Sequence, residues 1–238
     1  MKKMLIIMGT VLMVLSFNYA ASAWVYVPDR GDTGWQTFNY TVGSGGFTGS
    51  VGFVVSNVID NYAYSELLLD NLSIGGEGAN QGFELGNLSG FNLLSDAMGT
   101  SFANVSNSVT AYSYTTYTPT EGYYFANLQG LYNGVSTSQF SNADGQAGTV
   151  GSILETAITL GAGGTFSFDW AFLGNDFSPW NDFALFYLKD QNGNIVFSEG
   201  LAQIGSAPPV PLPSTLLLLG SGLCGLLGLG RRVKRRVG

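Results

Sequence analysis

Histidine is absent from the 238 residues, and cysteine occurs once. The first absence removes the imidazole general base and the commonest nitrogen ligand for zinc. A lone thiol closes no disulfide within the chain. Charge is also scarce, at 11% of residues against about 25% in a typical soluble domain. Positive charge is nearly missing from the body. Seven of the nine basic residues are Lys2, Lys3, Arg231, Arg232, Lys234, Arg235 and Arg236, so Arg30 and Lys189 alone face all 16 acids between residues 24 and 230. That stretch carries −14, against −7 for the whole chain. A body so acidic repels phosphate, which argues against nucleic acid as a partner. No nucleophile elbow, phosphate loop or metal-hydrolase motif occurs either.

What is present starts with two address-like ends. Lys2 and Lys3 precede an uncharged apolar stretch from Met4 to Phe17, and Ala21-Ser22-Ala23 supplies a small–x–small site. This is the pattern of a secretory signal helix cut by signal peptidase between Ala23 and Trp24. At the other end, Pro208, Pro209, Pro211 and Pro213 form a stiff extended spacer that continues neither strand nor helix. Thr215 to Gly230 follows without a charge, and Arg231, Arg232, Lys234, Arg235 and Arg236 close the chain. Basic residues stay on the cytoplasmic side, so the segment holds the exported body outside and its tail inside. Sixteen residues span about 24 Å as a helix, short for a lasting anchor. Gly220, Gly222, Gly225, Gly228 and Gly230 suit close approach by another membrane helix.

Val210-Pro211-Leu212-Pro213-Ser214, the Leu- and Gly-rich run after it and the terminal arginines closely resemble the PEP-CTERM sorting signal. Leu212 stands where the most frequent form of that motif has Glu. The resemblance implies export by a Gram-negative bacterium, transient anchoring in the inner membrane and processing by an exosortase near Pro211–Thr215. Cys224 falls inside the apolar run and reads as a small apolar filler.

Between the ends the pattern is that of strands. Phe38, Tyr40 and Val42 alternate with Thr37, Asn39 and Thr41, and Phe166, Phe168, Trp170 and Phe172 alternate with Thr165, Ser167, Asp169 and Ala171; both have the period of two that a strand requires. Asn192-Gly193 between two apolar runs predicts a hairpin, and Gly161 to Gly164 similarly joins Ile153–Leu160 to Thr165–Leu173. Many short strands with glycine-rich turns predict an all-β protein, an antiparallel β-sandwich. Gly82-Phe83-Glu84-Leu85-Gly86 through Phe91, with Ile158 to Trp170 and Asn181 to Phe186, resembles jelly-roll modules of the carbohydrate-binding superfamily. Glu66 to Ile74 looks like the closing strand of a similar unit, so residues 24–76 are either a small module or extra strands of one sandwich. The expected order is a signal peptide over 1–23, β-strands over 24–76, the jelly-roll-like sandwich over 77–205, a linker with the sorting motif over 206–214, a transmembrane helix over 215–230 and a basic cytoplasmic tail over 231–238.

The jelly-roll resemblance implies a structural calcium held by Glu84 and Asp182 with Asp176 or Asn181 as weaker helpers; the competing reading is that Glu84 caps a turn and Asp182 accepts backbone hydrogen bonds. Tyr112, Tyr114 and Tyr117, in a polar stretch, and Trp180, after Ser178-Pro179, are candidates for stacking on sugar rings, or simply alternate between core and solvent. Catalysis has only loose carboxylates to draw on, Asp169, Asp176, Asp182, Glu121 and Glu155, and no spacing selects a pair. The expectation is a non-enzymatic cell-surface or extracellular-matrix protein associated with exopolysaccharide or biofilm, partnered by signal peptidase, exosortase and polysaccharide. A lectin-like binding module is the alternative, and a glycoside-acting enzyme the remote one.

Overall fold

The computed structural model describes residues 24–60, 62–75 and 83–207. The chain divides after Ser206, and of the second part only Ala207 is described. The predicted signal with its cleavage residues Ala21 and Ala23, the sorting motif Val210–Ser214, the apolar run and the basic tail lie outside the described residues.

Among the described residues the regular structure is strand throughout: β1 (Val25–Val27), β2 (Gln36–Thr41), β3 (Phe47–Val58), β4 (Glu66–Ile74), β5 (Asn92–Leu93), β6 (Phe102–Ser106), β7 (Val109–Thr110), β8 (Thr116–Tyr117), β9 (Phe125–Gln129), β10 (Val135–Ser136), β11 (Gly148–Leu160), β12 (Thr165–Leu173), β13 (Phe183–Asp190) and β14 (Ile195–Ile204). One sheet runs β1-β14-β13-β3-β11-β10 with β5 also on β11, and the other runs β2-β12-β4-β9-β6. Pairing is antiparallel except where β1 lies parallel to β14. β7 and β8 form a separate ribbon. The result is an antiparallel sandwich, consistent with the jelly-roll-like expectation. The strands of residues 24–76 alternate between the two sheets and sit among later ones, so they are part of the same sandwich.

The alternation in β12 explains the core. Phe166, Phe168, Trp170 and Phe172 all point between the sheets and are buried with Val51, Phe53 and Val55 of β3 and Phe186 and Leu188 of β13. Phe53 meets Phe168 edge-on at 4.9 Å, and Phe38 lies 4.5 Å from Phe186. Fully burying a ring of this size contributes about 1.5–3 kcal/mol. The central strands are covered on their outer faces too. Leu68, Phe125, Ala171 and Leu173 pack under Ala111 and Tyr117 of the ribbon region, and Ile153, Phe183, Leu185 and Tyr187 pack with Phe140, with Trp24 against them. Burial on both faces is why Phe183 to Leu188 reads as an unbroken apolar run.

The Asn192-Gly193 turn closes the β13–β14 hairpin, with Gly193 at φ 86° and its N–H on the Asp190 carbonyl. The Gly161–Gly164 turn does something else. It carries the chain from β11 in one sheet to β12 in the other, an arch over the core rather than a hairpin.

Candidate functional site

Four loops meet beside the ends of β4 and β12. The turn between β1 and β2 brings Arg30; the β3–β4 loop brings Ala63 and Tyr64; the ribbon brings Thr110, Ala111 and Tyr112; the β12–β13 loop brings Asn175. Together they line an open cleft of about 300 Å³. Backbone hydrogen bonds tie the β1–β2 turn to the β12–β13 loop: Arg30 N–H donates to the Asp176 carbonyl at 2.9 Å and Gly174 N–H to that of Gly31 at 2.9 Å. Ser178 N–H donates to the Asp29 carboxylate at 2.9 Å. The Asn175 amide donates to the Tyr64 carbonyl at 3.1 Å and to Glu66 at 3.3 Å.

Aromatic rings crowd the mouth. The Arg30 guanidinium carbon lies 4.5 Å from the centre of the Tyr112 ring and 5.8 Å from that of Phe177, and Phe177 meets Trp180 edge-on at 4.8 Å. Tyr62 and Tyr114 are exposed in two of the same loops. Backbone strain concentrates here as well: of the five non-glycine residues with positive φ among those described, Arg30 (57°), Ala63 (48°), Ile59 (71°) and Tyr114 (68°) belong to the loops that build the cleft. Residues other than glycine enter that region at a cost, and the cost is commonly met at binding sites.

The stacking candidates therefore divide. Tyr112 lines the cleft, half exposed; Tyr114 stands at the tip of the ribbon turn, 89% exposed; Trp180 joins through Phe177. Tyr117 is 3% exposed and does not face solvent. Its hydroxyl donates to Asp32 at 2.5 Å and accepts from Gly34 N–H at 3.0 Å. Burial and the adjoining Asp32 carboxylate push that phenol far above its usual range. Its ring packs against Trp35 and under the ribbon.

The three acids named for calcium do not share one site. Glu84 accepts from the N–H groups of Tyr123 at 2.7 Å and Tyr124 at 3.0 Å, just before β9 begins. Asp182 is fully buried at the far end of the β4–β9 pair, accepting from Val58 N–H at 3.0 Å and Ser65 Oγ at 2.9 Å. The five residues of β9 lie between the two anchoring points, six strand steps or about 20 Å. Among the described residues no three His, Cys, Asp or Glu side chains are grouped to hold a metal ion. A calcium shared by Glu84 and Asp182 does not fit this arrangement. The Asp176 charge does bear on Asp182. Burial raises both carboxyls above the usual carboxylate value, for Asp182 well above it with the Asp176 charge adding to the rise; Asp60 and Asp29 also raise Asp176, while the Phe177 N–H and the Arg30 charge lower it. The Asp176 Oδ2 is buried without a hydrogen-bond partner.

Asp70 and Asp169 stand opposite each other on β4 and β12. Both belong to a network that anchors the 118–124 loop. Asp70 accepts from Thr120 N–H at 2.6 Å, Glu121 N–H at 3.2 Å and Asn71 N–H at 2.8 Å. Asp169 accepts from Thr37 Oγ1 at 2.6 Å, Thr120 Oγ1 at 2.8 Å and the Asn71 amide at 3.2 Å.

A second, more apolar crevice of about 260 Å³ opens at the opposite end of β12, lined by Tyr40, Val42, Phe47, Leu188, Val196 and Phe197 among others. Arg30, Tyr64 and Asn175 carry no motif; each is a lone loop residue, and only the rarity of cations singles out Arg30.

Residues 209–236 match the PEP-CTERM protein-sorting motif. The match covers the tail and leaves the sandwich unassigned. No curated protein and no solved structure matches the chain. The motif implies an exported precursor anchored in the inner membrane of a Gram-negative bacterium and processed through an exosortase system.

Proposed function

We propose that the sandwich is a non-enzymatic component of the cell surface or extracellular matrix that binds polysaccharide through the Arg30–Tyr112 cleft. The sorting motif carries the chain out of the cell; the signal peptide over residues 1–23, the membrane helix over 215–230 and final residence in the exopolysaccharide matrix complete that route. The observation that supports glycan binding is the aromatic group at the cleft mouth, with Arg30 over the Tyr112 and Phe177 rings and Trp180 edge-on to Phe177. Aromatic faces suit the apolar face of a pyranose, and the Arg30 and Asn175 side chains suit its hydroxyls.

A non-catalytic reading is supported by the state of the facing carboxylates. A glycosidase holds two carboxyls across an open substrate gap, whereas Asp70 and Asp169 are occupied by Thr120, Asn71 and Thr37. The test is co-sedimentation of the processed protein with the extracellular polysaccharide of the producing cells. Retention by wild type and its loss in Tyr112→Ala support the reading. Absence of retention defeats it.

A further inference from the structure

Only two cations lie between residues 24 and 230, and they are used differently. Lys189 pairs with Glu155 on the outer face of the first sheet. Arg30 makes no ion pair among the described residues, and its guanidinium is held by ring faces at 4.5 and 5.8 Å. Ring faces make no hydrogen bonds, so these contacts leave the guanidinium N–H donors available in the fork geometry that grips a carboxylate by two parallel bonds. A neutral sugar needs no such group, since amides and hydroxyls serve its hydroxyls equally well.

We infer that the cleft recognises a carboxylate-bearing sugar, a uronic acid residue of an acidic polysaccharide, with Arg30 on the carboxylate and Tyr112 against the ring. This rests on the glycan reading above and gives it a substrate class. The cleft is small, at the lower end of ligand pockets, which suits one sugar unit at a time.

The neighbouring acids weigh against an anion and are accounted for in the geometry. Asp29 is held by Ser178 N–H, Asp60 by Tyr62 N–H, and one oxygen of Asp176 by Phe177 N–H. Asp176 is 2% exposed, buried beneath the loop surface rather than presented to the cleft mouth, and burial raises its carboxyl above the usual value while the Arg30 charge acts to lower it. The acidic body slows the approach of an anionic polymer, and the contact that repays this is local to Arg30. Selectivity therefore depends on one side chain.

The experiment uses the full processed protein and two probes: the extracellular polysaccharide of the producing cells, and the same polymer after its carboxyl groups are reduced to alcohols. Carboxyl reduction is expected to weaken wild-type binding at least tenfold. Arg30→Gln is expected to bind both polymers equally and as weakly as wild type binds the reduced one, and Arg30→Lys to recover only part of the preference. Near-ultraviolet circular dichroism establishes that each variant is folded, and Arg30 is exposed in a surface turn. Equal wild-type affinity for the two polymers overturns this inference and leaves the glycan reading standing. Failure to bind either polymer overturns both.

Discussion

The indole of Trp24 occupies the space that a side chain at Gly200 would need. A Cβ at position 200 would come within 2.0 Å of that ring. Trp24 also meets Phe183 edge-on at 6.2 Å, and β1, which begins at the next residue, lies parallel to β14. The residue that the proposed signal cleavage after Ala23 would leave first in the chain is thus seated on β14, the last strand before the sorting motif.

Gly200→Ala is expected to lower the stability of the processed protein by about 1–3 kcal/mol, the usual cost of overpacking. Trp24→Ala loses ring burial but vacates that space, so the double variant should be less unstable than the two single losses added together. Urea unfolding followed by fluorescence measures all three. Strict additivity would mean that the indole does not press on Gly200.

Asp182 and Asp32 predict opposite responses to pH. Burial holds Asp182 well above the usual carboxylate value, so its contribution is complete below about pH 4 and is lost as pH rises through the folded-state value. For Asp32 burial opposes the charge, but hydrogen bonds from Ser113, Tyr117 and Gly34 outweigh it and lower the carboxyl. Its contribution is present above about pH 4 and is lost as pH falls through the folded-state value. Stability measured by thermal unfolding between pH 3 and 8 should therefore respond to Asp182→Asn by a gain on the neutral side relative to wild type. Asp32→Asn should lose stability there instead. A parallel shift of both curves would contradict the assignment.

Asp70 carries the 118–124 loop, accepting from Thr120, Glu121 and Asn71. Asp70→Ala strands these donors, at a cost of about 1–3 kcal/mol for each that remains buried and unmade. Limited proteolysis should cut the variant within residues 118–124 much faster than wild type. Cleavage at the wild-type rate would show that the loop is held by other contacts.

The strands were legible because their chemistry is local. Four rings at a spacing of two in β12 can share one face only in a strand, and Asn192-Gly193 supplies the backbone freedom its turn uses. Gly161 to Gly164 reads as a second hairpin and is instead an arch between sheets, because glycine shows where the chain reverses and says nothing about whether the next strand stays in the same sheet. Tyr112 and Tyr117 illustrate the limit at the site. The two are alike in sequence, but Trp35 and Phe125 form an aromatic pocket around Tyr117 while Arg30 comes to Tyr112 from 82 positions away. Long-range packing decides which ring is buried, and no spacing rule carries that information.

Processing at both ends predicts a change in charge as well as in mass. Cleavage after Ala23 would remove Lys2 and Lys3, and exosortase action near Ser214 would remove all five basic residues of the tail, without loss of a single acid. The protein recovered from the producing cells should then start at Trp24, end near Ser214 and carry −14 in place of −7. Pro211→Ala with Pro213→Ala removes the stiff spacer of the sorting motif and is expected to trap a longer, less acidic species in the inner membrane. Intact mass and isoelectric focusing read the two quantities separately. A mature wild-type chain that retains Arg236 would mean that the tail is a lasting anchor, and the sandwich would then work at the membrane rather than in the matrix.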